Sequence, residues 1–299
     1  MDRDIRSGSA RRRRCSVAAE SYKGKVGLVT GAATKRGMGR AIALRLARAG
    51  ADVAIIDKYA SVSSNYPGDE GWRGLEEEIG EIKACGVNAL SFTVDITKGN
   101  ECNEAVTRVV GQLGKIDIFV HAAGIRGPVG VPVIDFTEED WKEQIDVNLT
   151  GSFLISKPVA RHMVGRGGPG KMILIGSVAS KEGVAGGSGY AASKWGVLGL
   201  TKSLALEVAR YKINVNAVCP GFINTNLRDA WIGEQAKAKG VTAAEFREKW
   251  YADSAAAAVP LGYYGTAEEI ADVVMFLVSK EADYMTGQAI NVTGGACMV

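Results

Sequence analysis

The feature that most constrains this chain is a repeated switch in hydrophobic period. From Lys25 onward, short runs rich in β-branched residues alternate with stretches whose apolar residues recur at helical spacing. Residues 26–30 read as a buried strand, and 39–49 follow as a helix with Ile42, Leu46 and Ala49 on one face. Further strands are predicted at 53–56, 89–93, 116–120, 172–175, 213–218 and 289–292. Helices fill the gaps: one ending near 85, then about 98–113, 138–164, 189–209 and 267–278.

Strands that alternate with helices predict an α/β fold, a parallel sheet covered on both faces. Right-handed crossovers then make it a single doubly wound, Rossmann-type sheet. No repeat or linker divides the chain, so 23–299 reads as one domain after an Arg-rich leader or cloning remnant at 1–22. Two excursions stand out, at 58–71 and 221–265. Segments of that length are usually binding loops or lids. The second reads as a lid with helical pieces of its own, carrying Phe222, Trp231, Phe246, Trp250 and Tyr251.

Composition narrows the function class. The net charge is +3, and the run Arg11 to Arg14 supplies much of it, so no basic face for nucleic acid is evident. A twin-arginine export signal would need a long apolar stretch after those arginines, and 15–20 offers none. Five scattered cysteines without a Cys-x-x-Cys, and two histidines, argue against a disulfide framework or a metal site. They fit a reducing, cytoplasmic setting. No apolar run approaches the ~20 residues that span a bilayer.

Between the first strand and first helix lies Thr30-Gly31-Ala32-Ala33-Thr34-Lys35-Arg36-Gly37-Met38-Gly39. Glycines there let the backbone approach a pyrophosphate, and the helix N-terminus offers unpaired N–H groups. Asp57 ends the second strand, where a carboxylate accepts from ribose hydroxyls and repels a 2′-phosphate. That favours NAD over NADP, although Lys35, Arg36 and Lys58 pull the other way. Asp95, after the third strand, reads as an adenine contact or as a turn former.

Tyr190 and Lys194 stand four residues apart in a predicted helix, on one face. An ammonium beside a phenol stabilises the phenolate. Such a phenol can exchange a proton with an alcohol or a developing alkoxide while hydride moves to or from a nicotinamide.

With these residues in place, the chain resembles the short-chain dehydrogenase/reductase family from about Lys25 to Gly295. The family's Tyr-x-x-x-Lys is matched by Tyr190 and Lys194. Its serine, thirteen residues earlier, is matched by Ser177, and its Val-Asn-Leu-x-Gly by Val147-Asn148-Leu149-Thr150-Gly151. Pro220-Gly221-Phe222-Ile223-Asn224-Thr225, Met285-Thr286-Gly287-Gln288 and Gly294-Gly295 match later family segments. The resemblance implies Tyr190 as acid/base, Lys194 tuning it and holding the nicotinamide ribose, and Ser177 bonding the substrate oxygen. It implies Asn148 holding a water that connects Lys194 to solvent; an amide bonding a kinked helix backbone is the plainer reading of Asn148. It implies that Gly31, Gly37, Met38, Gly39, Asp57, Asp95, Ile96, Ala123, Gly124, Pro220, Gly221, Ile223 and Thr225 line the cofactor together with Tyr190 and Lys194. A homotetramer built on the helices beginning near 138 and 189 follows too, with Ala191, Ala192, Val197, Leu200 and Leu204 as packing residues.

Two departures qualify the match. Five residues separate Gly31 from Gly37, two more than the family's usual Thr-Gly-x-x-x-Gly-x-Gly. A longer turn resembles the enoyl-reductase branch, whose Tyr and Lys are spaced wider than here. The family's Asn-Asn-Ala-Gly appears as His121-Ala122-Ala123-Gly124, with His121 read as a structural substitute at the sheet end. The resulting expectation is an NAD(P)-dependent enzyme that interconverts a secondary alcohol and a ketone on a small molecule. Enoyl reduction and a non-catalytic NAD-binding regulator are the alternatives. Val184, Ala185 and Ser188 read as substrate borders. Arg126 and Arg228 read as solvated surface residues, with a carboxylate or phosphate contact as the alternative.

Overall fold

In the computed structural model, which describes residues 22–62 and 69–299, alternate strand residues feed two separate cores. Strand β1 (Val26–Thr30) sends Val29 into one and Leu28 into the other; β2 (Asp52–Asp57) divides Val53 and Ile55 from Ala54 and Ile56 in the same way. This is the side-chain period of two acting on a sheet buried on both faces. The remaining strands are β3 (Ala89–Thr93), β4 (Ile118–His121), β5 (Gly170–Ile175), β6 (Ile213–Pro220) and β7 (Ala289–Val292). They form one seven-stranded sheet in the order β3-β2-β1-β4-β5-β6-β7, and every pair in it is parallel. The strand order reverses between β1 and β4, which opens a crevice at their carboxyl ends. The leader expected at 1–22 lies outside the described residues except for Tyr22, as does 63–68 of the first excursion.

Helices α1 (Met38–Arg48), α2 (Leu75–Ala84) and α9 (Ala267–Val278) cover one face through Ile42, Leu46, Ile82, Ile270 and Val274. Helices α3 (Gly99–Leu113), α5 (Gly151–Arg166) and α6 (Ser188–Val208) cover the other through Val106, Val109, Ile155, Val159 and Val197. The second excursion folds into α7 (Asp229–Lys239) and α8 (Ala243–Ala258). A capping box between Thr242 and Glu245 starts α8 by satisfying the first backbone N–H groups.

Three expectations need correction. The single helix at 138–164 is instead α4 (Glu138–Ile145), a π-helical turn over Asp146–Thr150, and α5. The π turn inserts a residue into the helical ladder, a feature common at functional sites. The strand at 116–120 instead runs Ile118–His121; just before it, the Asp117 carboxylate accepts the Val26 N–H at 2.9 Å and the Asp117 N–H donates to the Val26 carbonyl at 2.9 Å. Val197, cited as an interface residue, is 1% exposed and belongs to the core, while Trp195 and Phe153 point outward.

Candidate active site

The turn between β1 and α1 is dictated by its glycines. Gly31 has φ 75°, in the left-handed region, and a Cβ there would sit 2.6 Å from the Ala123 nitrogen. A Cβ on Gly39 would sit 2.3 Å from the Gly31 carbonyl oxygen, so α1 can pack this closely only without one. The start of α1 has no side-chain cap at Gly37 and no acidic residue in its first turn. Its leading N–H groups and positive dipole end therefore suit an anion such as a pyrophosphate.

Asp57 closes the far side of this turn. Its carboxylate accepts the Ala33 N–H at 2.9 Å and the Tyr59 N–H at 3.3 Å. Burial pushes its carboxyl up, and those backbone donors offset part of the effect. Asp95 accepts from the N–H and hydroxyl of Thr97 at 3.0 and 2.7 Å and pairs with Lys58 at 3.3 Å. Its partial burial raises the carboxyl, but the Thr97 and Lys58 donors outweigh that and hold it below the usual value. Asp95 is therefore a turn former in the structure. Ile96 is buried against Gly151.

The four expected catalytic residues come from three elements and converge. Ser177 follows β5 and caps a short 3-10 turn, Val178–Ser180. Its Oγ accepts the Ala179 N–H at 3.2 Å, while its own N–H donates to Ser180 Oγ at 3.0 Å. That leaves the Ser177 hydroxyl proton available to a ligand oxygen. Tyr190 and Lys194 share one face of α6, with Lys194 Nζ 5.8 Å from the Tyr190 ring centre. Lys194 is 6% exposed and donates to the Ile175 carbonyl at 2.9 Å, which ties it to the end of β5.

Asn148 sits in the π turn and is 1% exposed. Its Oδ1 accepts the Ile125 N–H at 2.8 Å, and its Nδ2 donates to the Ile125 carbonyl at 2.9 Å and to Ser193 Oγ at 3.1 Å. The amide thus bonds the backbone beyond β4, joining α6 to the strand end. Gly124 stands beside both groups: a Cβ on it would lie 3.0 Å from Asn148 Oδ1 and 3.6 Å from Lys194 Nζ.

His121 is fully buried at the end of β4. Thr30 Oγ1 accepts the N–H groups of Ala122 and Ala123, each at 3.1 Å. Its hydroxyl proton is then directed to His121 Nδ1, 2.8 Å away. Burial, followed by the charge of Lys194, pushes the His121 pKa down to about 3.

Ser177 and Tyr190 face one cavity of about 150 Å³. Met38, Pro220, Gly221, Ile223 and Thr225 line it as well, so the glycine-turn helix and the segment after β6 meet there. Val184 is a wall, as expected, whereas Ala185 is exposed and neither it nor Ser188 borders the cavity. Of the seven aromatic residues in the excursion, only Phe222 lines the cavity. Trp231 packs on Phe246 and Trp250, and Tyr251 packs on Tyr264 with ring centres 4.5 Å apart. Arg126 and Arg228, read from sequence as solvated, are cavity walls. The chain path after β4 and after β6 brings them inward.

Sequence reasoning missed a cluster of charges behind this cavity. Arg36, one of the additional residues of the glycine turn, meets Asp69 at 3.3 Å and Asp229 at 2.6 Å. Its backbone N–H donates to Asn226 at 3.0 Å. Arg247 of α8 meets the other Asp229 oxygen at 2.6 Å. Trp72, after the first excursion, donates its indole N–H to the Ala33 carbonyl at 2.8 Å and lies under Arg40. The only signal for this cluster in the sequence was the coincidence of a long turn and two long excursions.

No helix among the described residues is long and apolar enough to cross a membrane. Among those residues, no cluster of His, Cys, Asp and Glu could hold a metal ion.

Comparison with known proteins agrees with the geometry. A family model described as Enoyl-(Acyl carrier protein) reductase matches residues 31–297. The 3-oxoacyl-(acyl-carrier-protein) reductase FabG of Staphylococcus epidermidis is 36% identical over 274 residues, covering 92% of this chain and 99% of that protein. The crystal structure of carveol dehydrogenase from Mycobacterium avium in complex with NAD matches with a TM-score of 0.81 at 30% identity, covering 93% of this chain and 99% of that one. Actinorhodin polyketide ketoreductase with NADPH matches with a TM-score of 0.77 at 35% identity, covering 91% and 97%. The chain is an oxidoreductase of the short-chain dehydrogenase/reductase family.

Proposed function

We propose that this protein interconverts a secondary alcohol and a ketone on a small molecule, using NAD, with Tyr190 as the acid/base. The observation that carries the reading is the meeting of Ser177 and Tyr190 on one cavity wall, with Lys194 and Asn148 locked behind them. FabG, carveol dehydrogenase and the polyketide ketoreductase bear names that point to the same carbonyl or alcohol chemistry.

The residues present fit a dinucleotide. The N-terminal amides of α1 with Gly31, Gly37, Met38 and Gly39 would hold the pyrophosphate, and Asp57 the adenosine ribose. Asp95, Ile96, Ala123 and Gly124 would border the adenine side. Tyr190 and Lys194 would hold the other ribose, and Pro220, Gly221, Ile223 and Thr225 the carboxamide end. When bound, the nicotinamide supplies or accepts a hydride. Ser177 holds the substrate oxygen by a hydrogen bond from its hydroxyl, keeping its own proton. Tyr190 Oη gives a proton to that oxygen in reduction and takes one in oxidation. Lys194, on the same face of α6, keeps its ammonium 5.8 Å from the Tyr190 ring centre. Asn148, fixed by Ile125 and Ser193, keeps α6 and the π turn in register with the strand end. The excursion carrying α7 and α8 acts as a lid that excludes water from the reacting carbon.

NAD is favoured over NADP because two of the three basic groups near the turn are already matched. Lys58 pairs with Asp95, and Arg36 with Asp69 and Asp229. Asp57 adds a carboxylate where a 2′-phosphate would stand. The test is NADH and NADPH oxidation over a ketone panel by the parent and by Tyr190→Phe. Full activity in that variant would sink the mechanism, and a higher kcat/KM with NADPH would sink the cofactor assignment.

A second reading, enoyl reduction, draws on the long glycine turn and on the description of the matching family model. Turnover of α,β-unsaturated thioesters in preference to ketones would select it. The reading also includes a cytoplasmic homotetramer, supported by free thiols at Cys85, Cys102, Cys219 and Cys297 and by the outward Phe153 and Trp195 on α5 and α6. Light scattering on the purified protein checks the assembly.

A further inference from the structure

Two guanidinium groups face the cavity that holds Ser177 and Tyr190, and among the described residues neither is paired with a carboxylate. Arg126 lies 5.9 Å from the Tyr190 ring centre. Arg228 lies over Phe222 at 5.5 Å and over Trp250 at 5.1 Å. Both line the cavity. Among the described residues neither has an acidic partner, in contrast with Arg36 and Arg247, which share Asp229 a short way behind. After burial, the largest electrostatic influences on Arg228 are Arg126 and the phenols of Tyr264, Tyr251 and Tyr190. Burial, followed by Arg126, lowers the Arg228 pKa. Both residues are partly buried, and withdrawing a cation from water is costly without a counter-charge. Here the cations converge on open space beside the reactive residues, so the counter-charge belongs to what enters that space.

We infer that the substrate carries a carboxylate, received by Arg126 and Arg228 while its carbonyl faces Ser177 and Tyr190; this rests on the alcohol/ketone reading above. The pair of reactants is an oxo acid and its hydroxy acid. In reduction the carbonyl carbon gains the hydride of the reduced dinucleotide and the oxygen gains the Tyr190 proton; the carboxylate is unchanged. A carboxylate suits the site better than a phosphate for two reasons. A guanidinium offers two parallel N–H groups that match two coplanar oxygens. Most of the other walls, including Val178, Val184 and Leu227, are apolar, and Thr225 brings the one further side-chain hydroxyl among them.

The test uses the full chain with NADH and matched ketones: 2-oxo to 5-oxo acids, each against its methyl ester, and dihydroxyacetone phosphate. For the best skeleton, kcat/KM for the acid should exceed that for the ester by about 30-fold, as expected for a charged hydrogen-bonded contact. In Arg126→Gln and in Arg228→Gln the acid-to-ester ratio should fall to near unity, with Arg228→Lys in between. Thermal melts within a few degrees of the parent establish that each variant is folded. Binding is read separately in Tyr190→Phe, where tryptophan fluorescence, with Trp250 beside Arg228, should report the acid binding more tightly than the ester. Turnover of neutral ketones with no preference for acids overturns the inference and spares the reaction. Preference for the phosphate over every oxo acid also overturns it. Acid-selective binding in Tyr190→Phe with no turnover of any ketone by the parent overturns the alcohol/ketone reading, and with it the claim that the acid is a substrate.

Discussion

The guanidinium of Arg36 lies 2.6 Å from the carboxylate of Asp229. That contact joins the turn between β1 and α1 to the first helix of the excursion after β6, residues 193 apart in sequence. Arg247 approaches the same carboxylate from α8, so Asp229 stands between two cations. Asn226 also reaches it at 2.9 Å.

Asp229→Asn should therefore do more than remove one pair, because it leaves two guanidiniums facing a neutral amide. Breaking a largely buried pair at one partner costs about 3 kcal/mol. Urea unfolding should register a loss of that order, and the KM for the dinucleotide should rise because the turn loses its brace. Unchanged values for both would remove Asp229 from any role in holding the turn.

Tyr190→Phe keeps the ring that Lys194 lies beside and removes only the hydroxyl. Turnover should drop by about 10³-fold, within the range for general acid–base groups, while NADH binding should weaken by no more than about tenfold, the loss of one ribose hydrogen bond. Asn148→Ala should behave differently. It strips partners from both the N–H and the carbonyl of Ile125 and from Ser193. The expected cost is about 2–4 kcal/mol from buried groups left unpaired, seen as a lowered denaturation midpoint together with lower activity. A stable but inactive Asn148→Ala would instead favour a direct role in proton transfer.

His121 predicts a pH dependence of stability. Burial, with Lys194 adding to it, pushes its folded pKa down to about 3 from an ordinary 6.5. Between those values the unfolded chain binds a proton that the folded chain refuses. Stability is thus full above about 6.5 and lost as pH falls, by ~1.4 kcal/mol per pH unit from this group alone. His121→Asn should flatten that limb of the curve relative to the parent. Identical slopes in chemical denaturation between pH 4 and 6 would show that the ring is not excluded from protonation.

Gly39→Ala tests the close approach of α1. The added Cβ meets the Gly31 carbonyl oxygen at 2.3 Å and the Thr30 carbonyl oxygen at 3.0 Å, both backbone atoms that cannot swing away. The helix must shift off β1, and dinucleotide binding should weaken by at least tenfold, on the order of 1.4 kcal/mol. Gly80→Ala, in α2 where nothing lies within 4 Å, is the matched control and should bind normally.

What the sequence by itself determined is what short-range spacing encodes. Period-two and helical patterns gave the order of strands and helices, and with it the parallel sheet, because each element's buried face is written within a few turns of chain. The four-residue step from Tyr190 to Lys194 placed both on one helical face, and glycine at 31 and 39 announced a close backbone approach. The break in the helix at Asp146–Thr150 was not legible, since a π turn leaves the apolar pattern nearly intact while it re-aims Asn148 at Ile125. Only tertiary structure could decide where long-range charges ended up. Arg126 and Arg228 carry no local mark that separates a solvated arginine from one facing a cavity. Arg36, Asp69 and Asp229 are distant in sequence and meet only because two excursions fold onto the glycine turn. Ion pairing depends on the distance between charges and the water around them, and neither exists until the chain has folded.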